Sequence, residues 1–94
     1  MRYAVRLSQE VQTYFQHLSP VPKRKIKESL RGLSLNPYLG KPLVEPLLGL
    51  FSYRVVNMRI IYMMHEKKCE LQVVVIGLRK TIYENLEKYV LQKR

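Results

Sequence analysis

Phe51-Ser52-Tyr53-Arg54-Val55-Val56-Asn57-Met58-Arg59-Ile60-Ile61-Tyr62 is the stretch that decides the fold. β-branched and aromatic residues dominate it, and a turn former, Asn57, interrupts it near the middle. It reads as a hairpin, with one strand over 51–56 and a second over 59–65. Lys67-Lys68 marks the next turn, and Glu70 to Ile76 reads as a third strand. Val73-Val74-Val75-Ile76 is apolar without interruption, so this strand is expected to be inner and covered on both faces. Gly77 is expected to close it.

Upstream, residues 36–50 hold Pro37, Gly40, Pro42, Pro46 and Gly49, and read as a loop crossing the surface. Before it, Ile26, Leu30 and Leu33 recur at helical spacing, with Pro22 where such a helix would begin and Asn36-Pro37 where it would stop. Val11, Tyr14, Phe15 and Leu18 form a second apolar stripe, preceded by Ser8 as a candidate N-cap with Glu10 in the first turn. The two helices, joined at Ser19-Pro20, suggest an αα-hairpin. Tyr3-Ala4-Val5-Arg6-Leu7 alternates and reads as a strand. Downstream, Thr81 to Gln92 reads as a last helix with Ile82, Leu86, Tyr89 and Val90 on its apolar side. The order β-α-α-β-β-β-α over residues 1–94 predicts one α+β domain: a small, mostly antiparallel sheet, an N-terminal αα-hairpin and a C-terminal helix.

Seventeen Lys plus Arg against seven Asp plus Glu give a net charge of +10 on 94 residues. So strong a positive field selects polyanions: RNA, DNA or an acidic protein. Cys69 is the only cysteine, so no internal disulfide forms, which suits a reducing compartment. Charge interrupts every apolar run near the N-terminus, and no stretch approaches the ~20 apolar residues that span a bilayer. A cytoplasmic protein without membrane partners is expected. Two scattered histidines, one cysteine and no paired carboxylates match no metal pattern, and no Gly-rich phosphate loop is present, so neither metal nor cofactor is expected.

Four segments, in order, resemble the RelE/ParE toxin superfamily over nearly the whole chain. They are Tyr3 to Ser8; Leu33-Ser34-Leu35-Asn36-Pro37 with Gly40-Lys41-Pro42-Leu43; Gly49 to Val55 followed by Met58 to Tyr62; and Val75-Ile76-Gly77-Leu78-Arg79-Lys80-Thr81-Ile82-Tyr83-Glu84. The resemblance implies the toxin of a type II toxin–antitoxin module, with a cognate antitoxin as partner. Its RelE branch implies a ribosome-dependent, metal-independent endoribonuclease acting on mRNA. Its ParE branch implies a DNA gyrase inhibitor without nuclease activity. A basic nucleic-acid-binding module is a third reading, carried by charge alone.

By this resemblance Arg59 and Arg79 would hold the scissile phosphate, Arg54 would be a third cation, and Tyr83 would stack on a base or assist proton transfer. The chemistry fits. Attack of a 2′-hydroxyl on the adjacent phosphate builds negative charge, which fixed cations stabilise, and a guanidinium is always charged. Lys23, Arg24 and Lys27 on the second helix, and Lys80 beside Arg79, are candidate RNA contacts. Each residue also has a plainer reading. Arg59 would be a solvated strand residue, Arg79 a helix-end charge, Tyr83 packing at a core edge, and the lysine run a solvated helix face. Two positions depart from the nuclease pattern: Ser52 stands where a Lys or Arg is usual, and Leu78 where a His precedes the arginine. His17 and His65 read as structural or surface residues, and Cys69 as a turn residue.

Overall fold

The computed structural model describes residues 2–84 and 86. A five-stranded sheet runs through it in the order β1-β5-β4-β3-β2. Its strands are β1 (Ala4–Leu7), β2 (Lys41–Pro42), β3 (Phe51–Val55), β4 (Met58–His65) and β5 (Glu70–Leu78). β1 pairs parallel with β5, from Ala4↔Glu70 to Leu7↔Val73, and every other pairing is antiparallel. Two helices, α1 (Gln9–Gln16) and α2 (Pro20–Leu35), carry the chain from β1 across one face. The α+β expectation and the helical hairpin therefore hold.

Ser8 caps α1 as expected, its hydroxyl accepting from the Val11 amide at 3.2 Å. α2 begins at Pro20 rather than Pro22, because Ser19 is the extended residue that precedes it. Proline is well suited to the first helical turn, where its missing N–H would be unpaired anyway. Ile26, Leu30 and Leu33 all pack into the core from α2, while Val11 and Phe15 do so from α1 and Leu18 from the link between the helices. Tyr14 stays largely outside.

Alternation sorts the strands. Phe51, Tyr53 and Val55 of β3 face the helices, with Met58, Ile60 and Tyr62 of β4 and Leu71, Val73 and Ile76 of β5. On the other face Ile61, Met63, Val74 and Val75 meet Leu43, Leu47 and Leu50 of the long loop, together with Ile82 and Leu86. The uninterrupted valine run has a register explanation. Ile61 pairs with Val75 and Tyr62 with Val73, which leaves Val74 as the extra residue of a bulge. The bulge turns two consecutive valines to one face, so alternation in the sequence disappears while both faces stay apolar.

Residues 36–50 hold more structure than a plain loop. Asn36 accepts from the Tyr38 amide and starts a 3-10 turn over Pro37–Leu39, and Lys41–Pro42 then adds β2 to the sheet edge. The segment is anchored by Tyr62, which is fully buried. Its hydroxyl donates to the Pro37 carbonyl (2.7 Å) and accepts from the Gly40 amide (3.0 Å). A Cβ at position 40 would fall on that hydroxyl, which accounts for the glycine. β5 does not close at Gly77 but continues to Leu78, because Gly77 pairs with Arg59 and Leu78 with Met58. Residues 82–84 and 86 are helical, and the expected helix beyond them lies outside the described residues. Among the described residues no helix is long and apolar enough to cross a membrane.

Candidate functional site

The face of the sheet turned away from the helices carries charge at one end. Arg54 sits between Tyr53 and Val55, and Arg59 between Met58 and Ile60, and all four of those neighbours face the helices. Both arginines therefore project to the second face. They are register partners across β3 and β4, a position that sets Cβ atoms about 4.5–5.5 Å apart and makes like charges repel. On its other side Arg59 pairs with Gly77, which puts no side chain beside it. Among the described residues neither arginine forms an ion pair. The one ion pair there, Arg6–Glu70 at 2.9 Å, belongs to the β1–β5 seam.

Local bonds fix the two side chains differently. Exposed Arg54 donates from Nε to the Val56 carbonyl at 3.1 Å, which folds it over the β3–β4 turn. Arg59 is half-buried and donates from Nη1 to Ser52 Oγ at 2.8 Å. Ser52 is only 4% exposed. Arg59 Nε is buried with no hydrogen-bond partner among the described residues. Leaving a buried donor unpaired costs about 1–3 kcal/mol, and more on a charged group. An anion seated between the two guanidiniums would relieve their mutual repulsion.

Arg79 reaches the same end from β5. Its amide donates to the Asn57 carbonyl at 2.9 Å, pinning the start of the last segment to the β3–β4 turn. Arg79 and Lys80 are exposed. Ile82 and Leu86 are buried against the second face, and between them Tyr83 stays 51% exposed. The stripe thus holds the segment down while Tyr83 keeps about half of its surface open to solvent. The fold brings Arg54, Arg59 and the backbone of Arg79 to one end of the sheet, with Lys80 next to Arg79 in the chain.

Lys23, Arg24 and Lys27 are not part of this cluster. They line a groove on the helical side with Leu7, Phe15, Pro20 and Leu30. Lys23 donates to the Gln16 carbonyl at 2.9 Å and lies 6.0 Å from the Phe15 ring centroid. The molecule therefore has two basic surfaces, separated by the sheet. His17 Nδ1 lies 2.8 Å from the Thr13 carbonyl at the end of α1, and His65 ends β4 in solvent. Cys69 occupies the β4–β5 turn with φ 51°. No group of three His, Cys, Asp or Glu that could hold a metal ion occurs among the described residues.

The sequence marked Ser52 only as a departure from a pattern. Its contact with Arg59 was accessible through alternation, since 52, 54 and 59 share a face once the β3–β4 register is set. Gly40 and Tyr62 carried no such signal, because their contact spans the loop.

This architecture, a helical hairpin on one face of a mixed sheet and an arginine cluster on the other, defines a small RelE-like α+β protein. The comparisons with solved structures give the same class. The chain is similar to the toxin–antitoxin complex RelBE2 of Mycobacterium tuberculosis, with 28% identity and a TM-score of 0.76 over 83% of this chain and 92% of that one. It is also similar to the archaeal RelE–RelB complex of Pyrococcus horikoshii, with 21% identity and a TM-score of 0.69 over 84% and 97%. A third similarity is to the YoeB dimer of Staphylococcus aureus, with 23% identity and a TM-score of 0.66 over 84% and 99%. No protein-family model matches the sequence, and no curated protein matches it.

Proposed function

We propose that this chain is the toxin of a toxin–antitoxin pair and that it cleaves mRNA on the ribosome. The observation that carries the reading is the arginine pair. Arg54 and Arg59 face each other across two strands without a carboxylate between them, and Arg59 keeps a buried, unpaired Nε. Opposed like charges with an unsatisfied donor are destabilising alone and favourable around a bound phosphate. Arg79, anchored one residue beyond the Met58↔Leu78 pair, supplies a third cation.

In this reading the 2′-hydroxyl of one nucleotide gives its proton to water and attacks the adjacent phosphorus, and the 5′-oxygen of the next nucleotide departs. The products are a 2′,3′-cyclic phosphate and a 5′-hydroxyl. Arg59 and Arg79 hold the non-bridging oxygens as charge develops, and Arg54 adds to the field. The exposed phenol of Tyr83 contacts a base or supplies the proton that the leaving oxygen takes up. An antitoxin partner is inferred from the company the chain keeps: the M. tuberculosis neighbour is a toxin–antitoxin complex and the P. horikoshii neighbour a RelE–RelB complex.

Primer extension on an mRNA paused in purified ribosomes tests this reading. The wild type is expected to cut at the A-site codon. Arg59→Ala and Arg79→Ala should each lose about 10²–10³-fold, the usual effect of removing one fixed donor from a developing charge. Uncut mRNA with wild-type protein would overturn the nuclease reading. The alternative is a gyrase-binding toxin. Leu78 favours it, since an aliphatic side chain 46% exposed in the residue before Arg79 offers contact area but no proton. Loss of supercoiling with added protein would then be the positive result.

A further inference from the structure

We infer that Ser52 is a positioning residue for Arg59, and that it does the work of orientation at a place where a second cation would otherwise stand. The inference rests on the reading of Arg59 as a phosphate ligand.

Three observations carry it. The Ser52 hydroxyl is buried, on the same face as Arg54 and Arg59, and accepts from Arg59 Nη1 at 2.8 Å. Arg59 Nε is buried without a partner among the described residues, so a single side-chain bond orients the guanidinium. The geometry is also rigid. Ser52 pairs with Lys41 of β2 and with Ile61 of β4, two residues along β4 from Arg59, so its backbone is held by strands on both sides. A guanidinium is planar, so fixing Nη1 fixes the plane and therefore the direction of the remaining donors. The serine adds no charge. It converts a half-buried arginine with several rotamers into a pre-oriented fork, the arrangement that saves reorganisation when a phosphate arrives.

The test is a double-mutant cycle with two readouts. Wild type, Ser52→Ala, Ser52→Thr, Arg59→Ala and Ser52→Ala/Arg59→Ala are compared first for mRNA cleavage on paused ribosomes. They are then compared, without ribosomes, for affinity to a short 2′-O-methyl oligoribonucleotide that cannot be cleaved by 2′-oxygen attack. Circular dichroism checks folding. Ser52→Ala is expected to cut roughly 10- to 100-fold more slowly, as for small displacements of a catalytic group, and to bind the oligonucleotide more weakly. In the Arg59→Ala background the same change should do nothing. Ser52→Thr, which keeps the hydroxyl, should restore most of the loss.

Effects that multiply, or a folded Ser52→Ala indistinguishable from wild type, overturn the proposal. If the wild type binds but does not cleave, the nuclease reading falls and the binding cycle still decides Ser52. If the wild type does neither, Arg59 is no phosphate ligand and the proposal falls with it.

Discussion

Tyr62 illustrates how a single side chain ties distant segments together. It lies on β4 beneath the helices, and its hydroxyl satisfies both the Pro37 carbonyl and the Gly40 amide. Tyr62→Phe would keep the ring, including its stacking on Phe51 at 5.6 Å, but leave two backbone groups unpaired. A loss of about 1–3 kcal/mol is expected, measured by urea unfolding. Burial also raises the Tyr62 pKa above its ordinary value near 10. The folded state therefore holds the phenol proton more tightly than the unfolded chain does. That contribution is complete below about pH 10 and is lost as pH rises through the raised folded value. The Phe variant should accordingly lose less stability than wild type between neutral pH and the alkaline range. At this scale the sequence supplied the charged residues but not their partners. Arg54, Arg59, Arg79 and Tyr83 are candidates only through the family resemblance that their segments carry. Gly40 carried no signal, because its role exists only through a contact made across a loop, and the Ser52 contact follows only once the β3–β4 register is set.

Elements were legible wherever periodicity was clean and less so where the sheet departs from it. α1 and α2 follow directly from their apolar stripes. The bulge at Val74 hid the facing of β5, and pairing with β4 carried that strand past the glycine expected to end it. The β3–β4 turn holds a further departure. Val56 has φ 57°, a left-handed conformation that a β-branched residue adopts only under strain. The cost of such a conformation is about 1–2 kcal/mol. Asparagine tolerates it, and the Val56 side chain is 59% exposed, with little packing to lose. Val56→Asn is therefore expected to stabilise the protein by about 1 kcal/mol, an increase of roughly 4–8 °C in Tm for a domain of this size. A thermal scan showing no increase would mean that the left-handed turn is not under strain.

For the whole molecule, the two basic surfaces lie on opposite sides of one sheet, and they should separate in experiment. Binding to single-stranded RNA releases counterions, with a slope in log K against log salt of about −0.7 per phosphate neutralised. Replacing Arg54 and Arg59 by Gln should flatten that slope for a short oligonucleotide by about one to two phosphate equivalents. Replacing Lys23, Arg24 and Lys27 by Gln should leave the oligonucleotide slope near wild type, because these residues line a groove with an apolar floor. Equal flattening by both sets would mean that RNA wraps around the edge of the sheet. The net charge of +10 raised the expectation of a polyanion partner, but composition has no direction, and only the fold divides that charge between two faces.

The parallel pairing of β1 with β5 has a temporal consequence. The ribosome makes β1 first and its partner last, and Ala4 waits for Glu70 to emerge. Until then a β3–β4 hairpin stands nearly alone, marginal in water as isolated hairpins are. Arg79 has no anchor, since its amide meets the Asn57 carbonyl only when β5 is in place beside β4. Long-range closures of this kind are slow. A growing chain thus cannot bring Arg79 to the β3–β4 turn while β5 is still inside the exit tunnel, and the three arginines come together only after Leu78 has emerged.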